Sequence, residues 1–259
     1  MTARLEDVEL RVVDGVEGMS GDLGRLFVVV GVFDGLHLGH AYLLEHLRTE
    51  ADRRRARPSV ITFDHHPDEV LVGAAPPLLC DPAERLERLA AAGVEVAVIQ
   101  PFNAEVRRIE YDDFVRMIAD RVELAGFLMT PDAAFGHERR GTPETLSELG
   151  GRMGFDVVVV APFEIGGQTV RSSDIRAAIA DGDLAAAERL LGRPYAVTGS
   201  VTAHGMMTFP MPVALPSSGL YEASISGRPV SAVVASDTTL TLQGAGVPEP
   251  GTGVRLEFR

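Results

Sequence analysis

The run Leu26–His40, LFVVVGVFDGLHLGH, constrains the fold more than any other stretch of this chain. Leu26 to Val30 are consecutive apolar residues, β-branched or aromatic after the first, and lead into Gly31. A run without polar alternation reads as a parallel strand buried on both faces and central in its sheet. Asp34-Gly35 then signals a turn, and the spacing of Leu43, Leu44 and Leu47 announces a helix. His37 and His40 therefore stand at a strand-to-helix junction, three residues apart and on one face if both enter the first helical turn. A helix start offers unpaired N–H groups and the positive end of the dipole, and Gly39 allows close approach to the backbone, so this is phosphate geometry. The alternative for the pair is that one histidine caps the helix and the other packs beneath the sheet. The flanking strand, turn and helix favour phosphate.

The same signals recur along the chain. Residues 58–63, 94–99, 126–130 and 155–163 read as further strands. Between them, Asp81 with Pro82 and Glu84 opens a helix that stops before Gly93, and a second around Tyr111–Val122 carries Phe114, Met117 and Ile118 on one side. Thr142 with Pro143 caps a third; Ser172 and Ser173 open a fourth; Asp183 caps a fifth that ends at Gly192. Strands alternating with helices imply an α/β fold with a doubly wound, mostly parallel sheet, whose ligands bind at the strand carboxyl ends. After Arg193-Pro194 the texture changes to short alternating runs separated by Gly, Pro and Ser clusters, which implies a small antiparallel barrel or sandwich. The expected division is thus residues 1–193 and residues 194–259, the second too small to stand without leaning on the first.

Composition excludes several functions. None of the 24 basic residues is lysine, which removes a Walker A phosphate loop, a lysine Schiff base and a lysine general base together. Phosphate recognition must fall to arginine, histidine and backbone. A net charge of −13 argues against nucleic acid as a partner. No apolar run approaches the ~20 residues of a membrane helix, and the amino-terminal MTARLEDVEL lacks a basic-then-apolar leader. With a single cysteine, Cys80, read as a small buried hydrophobe, the expectation is a cytoplasmic protein without disulfides. The histidines His37, His40, His65 and His66 could surround zinc, but their spacing is not that of a zinc helix.

Five segments in order carry a resemblance: Gly31–His40; Thr62-Phe-Asp-His-His-Pro67; Phe135-Gly-His-Glu-Arg-Arg-Gly141; Ser172-Ser-Asp-Ile-Arg176; and Leu191-Gly-Arg-Pro-Tyr195. Together they resemble the bacterial bifunctional riboflavin kinase/FAD synthetases. The resemblance implies a Rossmann-like nucleotidylyltransferase domain that joins the AMP of ATP to FMN with Mg²⁺ present, releasing pyrophosphate, followed by a riboflavin kinase-like barrel. It gives His37, His40 and Arg176 the catalytic contacts to the ATP phosphates. Gly31, Phe33, Asp34, Gly39, Ser172 and Ser173 fall in the ATP-binding segments, and His66, Asp132, Phe135 and Arg139 in the flavin-binding ones. It assigns no protein metal ligands. The chain departs from the pattern at His65, where a proline is expected, and at Ala133, where an aromatic is expected. In the barrel, Met211 and Val213 stand where the kinase has its Thr and Asn, and between Pro229 and Gly246 the only acid is Asp237. Neither a thioether nor an isopropyl group is a ligand for Mg²⁺, so kinase activity is expected to be absent. Transfer to another small phosphorylated acceptor, or a non-catalytic nucleotide- or flavin-binding regulatory role, are the alternatives.

Overall fold

Leu26–Val30 lies in the middle of a parallel sheet, as its unbroken apolar character requires. The computed structural model describes residues 9–259, and the start of the amino-terminal stretch read above lies outside the described residues. Among them, six strands form this sheet: β1 (Arg11–Asp14), β2 (Arg25–Val30), β3 (Arg57–Phe63), β4 (Val96–Gln100), β5 (Glu123–Met129) and β6 (Asp156–Val159), in the order β1-β4-β3-β2-β5-β6. Every pairing is parallel. Strand order reverses between β2 and β5, the switch point where such sheets open a crevice beyond their carboxyl ends. The helices are α1 (Leu38–Arg53), α2 (Pro67–Leu71), α3 (Pro82–Ala91), α4 (Tyr111–Ala119) and α5 (Pro143–Met153).

Leu26, Val28, Ile61 and Val98 share a core with Phe114 and Ile118 of α4 and Leu146 and Leu149 of α5. The intervening Phe27, Val29, Val60 and Ala97 are also buried, so both sheet faces are covered. The expected caps are in place: Asp81 Oδ1 accepts from the amides of Ala83 and Glu84, and Thr142 forms a capping box with Thr145. Gly126 is required inside β5: its φ is +154°, and a Cβ there would lie 2.3 Å from the carbonyl oxygen of Asp156. β5 begins three residues before the expected run 126–130, and two strands differ more. β6 is shorter than the run 155–163, and β1 was not foreseen, because an edge strand with Val12 half exposed and only Val13 buried leaves little pattern to read.

The remainder comprises a hairpin of β7 (Glu164–Ile165) and β8 (Gln168–Thr169), then α6 (Ser172–Ala180) and α7 (Leu184–Leu191). Strands β9 (Ala196–Val201), β10 (Met206–Thr208), β11 (Gly219–Ile225), β12 (Arg228–Val234), β13 (Leu240–Gln243) and β14 (Gly253–Phe258) follow. They close as a barrel in the order β10-β13-β12-β11-β14-β9, with antiparallel pairing throughout.

The chain divides into two compact units, but not at residue 193. The first takes the chain up to Phe33 with His40–Pro76 and Leu86–Phe163; the second takes Asp34–Gly39, Pro77–Arg85 and Glu164–Arg259. The physical reason lies in the barrel core. Val197, Ala232, Leu240 and Leu256 alone would make a small core, and Leu79, Ile175, Ile179 and Leu191 pack into it. The barrel does lean on neighbouring chain, and what it leans on is α6, α7 and residues 77–85.

Candidate active site

The turn after β2 is strained. Phe33 and Leu36 have left-handed φ of +53° and +37°, with Gly35 at +80° between them. A non-glycine residue held there costs about 1–3 kcal/mol and persists only where its surroundings over-determine it. In the second unit those surroundings are explicit. Asp34 is buried, and its carboxylate accepts from the amides of Leu79 and Cys80 and from Arg176 Nη2, the last at 2.5 Å. Ser172 Oγ donates to the Asp34 carbonyl, and Arg193 donates to the carbonyls of Gly35, at 2.6 Å, and Leu36. Three consecutive carbonyls are thus each held by a side chain from residues 172–193. In the first unit, Thr62 Oγ1 fixes the Val32 carbonyl.

His37 immediately precedes α1 and is 4% exposed. Burial, then the charges of Arg193 and Arg176, push its pKa down to about 4, so at neutral pH it is an uncharged imidazole that offers one N–H and one lone pair. Gly39 is closely packed: a Cβ there would lie 3.1 Å from both the His37 ring and the Val170 carbonyl. His40, in the first turn of α1, is half-buried with its ring 5.0 Å from that of Phe33. Arg176 is committed through Nε to the Pro77 carbonyl as well as to Asp34. Ser173 is exposed, with Oγ toward Asp174, and neither serine is the N-cap; Arg171 occupies that place without a side-chain bond to the helix. Cys80 is buried, and burial and the Asp34 carboxylate push its thiol up to about 12, an inert group.

In the first unit, a cavity of about 630 Å³ opens at the carboxyl ends of β2 and β5, where Val30, Gly31 and Met129 line it. Its walls are largely apolar and aromatic, with Phe63, Phe102, Ile109 and Phe135 prominent and Ala133 on one side. Phe63 meets Phe102 edge-on at 5.3 Å; Phe135 meets Phe114 at 5.6 Å. The volume is that of a small-molecule pocket. Of the residues assigned to flavin, Phe135 and Arg139 line the cavity directly. Asp132 accepts from Thr130 Oγ1, and its carbonyl accepts from Arg139, so it braces the loop. His66 Nδ1 accepts from the Asp68 amide and caps α2, and the next residue, Pro67, lines the wall.

Sequence reasoning missed Arg193, the Leu79 and Cys80 amides, and the wall contributed by Phe102 and Ile109. Only Arg193 had a signal, its place in the Leu191–Tyr195 segment. Among the described residues no three His, Cys, Asp or Glu side chains stand where they could hold a metal ion, and Asp34 is already taken by Arg176 and two amides.

The first unit is a Rossmann-like parallel sheet with a pocket at its switch point, and its central strand β2 runs on in sequence into the Gly-x-Phe-Asp-Gly-x-His-x-Gly-His turn. Comparison with known proteins narrows the class. The FAD synthetase family model matches residues 20–174, and the chain belongs to that family. It is 31% identical over 198 residues to the bifunctional riboflavin kinase/FMN adenylyltransferase of Haemophilus influenzae, covering 76% of this chain and 64% of that protein. The Escherichia coli K12 protein of the same name is 30% identical over 199 residues, covering 76% and 63%. The matched region thus spans less than two thirds of the length of these relatives. A crystal structure titled as a macrolide-efflux protein from Streptococcus pneumoniae shares the fold, with a TM-score of 0.79 at 22% identity over 96% of this chain and 90% of that one.

Proposed function

We propose that this protein is an FMN adenylyltransferase: it transfers the AMP of ATP to FMN, giving FAD and pyrophosphate, and has no riboflavin kinase activity. The observation that carries the reading is the apolar, aromatic-walled cavity at the carboxyl ends of β2 and β5, which suits a flat heteroaromatic ring beside the strand that feeds the phosphate turn.

An oxygen of the FMN phosphate attacks the α-phosphorus of ATP, a new P–O bond forms, and the bond to the β-phosphate oxygen breaks with its electrons leaving on pyrophosphate. The nucleophile is already an anion, so no general base is needed; catalysis is positioning and charge stabilisation. His37, neutral and buried, supplies a directional N–H rather than a charge, and the amides at the start of α1 supply the positive end of a 16-residue dipole. His40 and Arg176 serve the nucleotide phosphates as the resemblance implies. Mg²⁺ enters as the counter-ion of ATP. The partners are free ATP and FMN in the cytoplasm, not nucleic acid; among the described residues no helix is long and apolar enough to cross a membrane.

Three features support the loss of kinase activity. Met211 and Val213 offer no hard oxygen to Mg²⁺. The backbone around them is engaged elsewhere, since the Pro212 carbonyl accepts from the Leu78 amide and the Ala214 amide donates to the Leu78 carbonyl. Asp237, fully exposed, is bonded to the Thr239 hydroxyl and amide, which hold it below the usual carboxylate range and make it a poor base for a riboflavin hydroxyl. Purified protein with ATP, Mg²⁺ and FMN should give FAD and pyrophosphate in equal amounts by chromatography, and with riboflavin in place of FMN should give no FMN. Failure to form FAD overturns the first half; FMN above a no-enzyme control overturns the second.

A further inference from the structure

The Leu191–Tyr195 segment takes no part in the proposed chemistry, yet it is tied to the phosphate turn by side-chain and backbone geometry. Leu191 is buried in the core of the second unit, and Gly192 is left-handed at φ +73°, ending α7. A Cβ on Gly192 would lie 2.5 Å from Leu38, the first residue of α1, so the close approach requires glycine. The next residue is Arg193. Its Nη2 donates to the Gly35 carbonyl at 2.6 Å, and its Nη1 to the carbonyls of Leu36 and Leu191, each at 3.3 Å. Tyr195 anchors the far end, its hydroxyl donating to the Ala214 carbonyl at 2.6 Å while its ring stacks on Phe258.

We infer that Arg193 is a positioning residue for adenylyl transfer: its planar guanidinium locks the strained Gly35–Leu36 turn and so fixes the His37 imidazole and the first amides of α1. The inference rests on the FAD synthetase reading of the turn. The peptide planes of Gly35 and Leu36 set where His37 begins, and a left-handed leucine does not hold its conformation unaided. Asp34 on one side is held by Arg176, Ser172 and the Leu79 and Cys80 amides; the two carbonyls that follow it are held by Arg193. The fork shape matters. A guanidinium reaches neighbouring acceptors at once in a fixed plane, whereas an ammonium is a point donor on a flexible stem. Arg193 is also one of the two charges that disfavour protonation of His37, the other being Arg176.

The test uses full-length Arg193→Ala and Arg193→Lys. In FAD synthesis, both should show a kcat lowered tenfold or more with the KM for FMN unchanged, because a loosened turn misplaces groups needed in the transition state and leaves the acceptor pocket intact. Arg193→Lys keeps the charge, and it supplies the measurement if the alanine variant does not fold. Side-chain NMR of the histidines gives a readout independent of turnover: the His37 ring resonances should move or broaden in either variant, while those of His65 and His137 stay in place. A wild-type kcat in folded Arg193→Lys, or a raised KM for ATP with kcat unchanged, would overturn the assignment, the latter by making Arg193 a nucleotide contact. If the parent protein makes no FAD, the NMR comparison decides alone, and unmoved His37 resonances refute the role.

Discussion

Lowering the pH from 7 toward 4 should destabilise this protein through His37 in particular. The residue is 4% exposed and its pKa in the folded chain is about 4, against an ordinary value near 6.5. The folded-state value is the lower one, so in this interval the unfolded chain binds the proton first. Stability from keeping His37 neutral is therefore fully present above pH 6.5 and is lost as the pH falls from 6.5 to 4, below which both states are protonated. Each pH unit of that interval is worth about 1.4 kcal/mol, so the whole loss is about 3 kcal/mol, with about 2 kcal/mol gone by pH 5. Native carboxylates also lose stability in acid, so the assay is differential: urea unfolding of the parent and of His37→Gln, followed by circular dichroism at pH 7, 6, 5 and 4.5. Glutamine keeps a hydrogen-bonding side chain but cannot titrate. The variant should be less stable than the parent at pH 7, and the gap should shrink by about 2 kcal/mol by pH 5. Parallel pH dependences would refute the account of His37 as a buried neutral imidazole.

Other perturbations follow from the same geometry. Arg176→Ala strands the buried Asp34 carboxylate and should cost about 3 kcal/mol in chemical denaturation, part of it recovered by adding Asp34→Asn; recovery of nothing would mean that the pair is not what holds the turn. Gly126→Ala forces a Cβ against the Asp156 carbonyl and should cost about 2–4 kcal/mol, read from thermal unfolding; an unchanged midpoint would refute the close approach. Ala133→Trp fills the cavity wall beside Phe135 and should raise the KM for FMN on the order of tenfold while leaving the KM for ATP unchanged; an equal rise in both would place the cavity elsewhere in the reaction.

Much of the fold was legible because its signals act over a few residues. Unbroken apolar runs such as LFVVV can only be buried on both faces, which dictates a parallel sheet and puts β2 in its middle. Asp81, Thr142 and Asp183 cap the helices they precede, since a side chain three residues from an unpaired amide needs no distant partner. The alternation after residue 195 likewise implied an antiparallel barrel or sandwich, which the structure closes as a barrel, although β10, three residues long, was too short to read.

Partner choice was not legible. The motifs could mark Arg176 and the segment that holds Arg193 in a chain without lysine, but nothing local says which acceptor either arginine meets. Only the tertiary structure pairs Arg176 with Asp34 across 142 residues and sets Arg193 on Gly35 across 158. The cavity of the first unit has the same character: Phe63, Phe102 and Ile109 come from separate segments, and of its aromatic walls only Phe135 had been assigned to a site. So does the unit boundary. The texture change at residue 194 marks where strands begin, while Ile175, Ile179 and Leu191 pack into the core of the small barrel and carry α6 and α7 into the second unit. Periodicity, capping and turn chemistry are properties of neighbours along the chain; which charge meets which, and which apolar side chain fills which core, is decided by closeness in space.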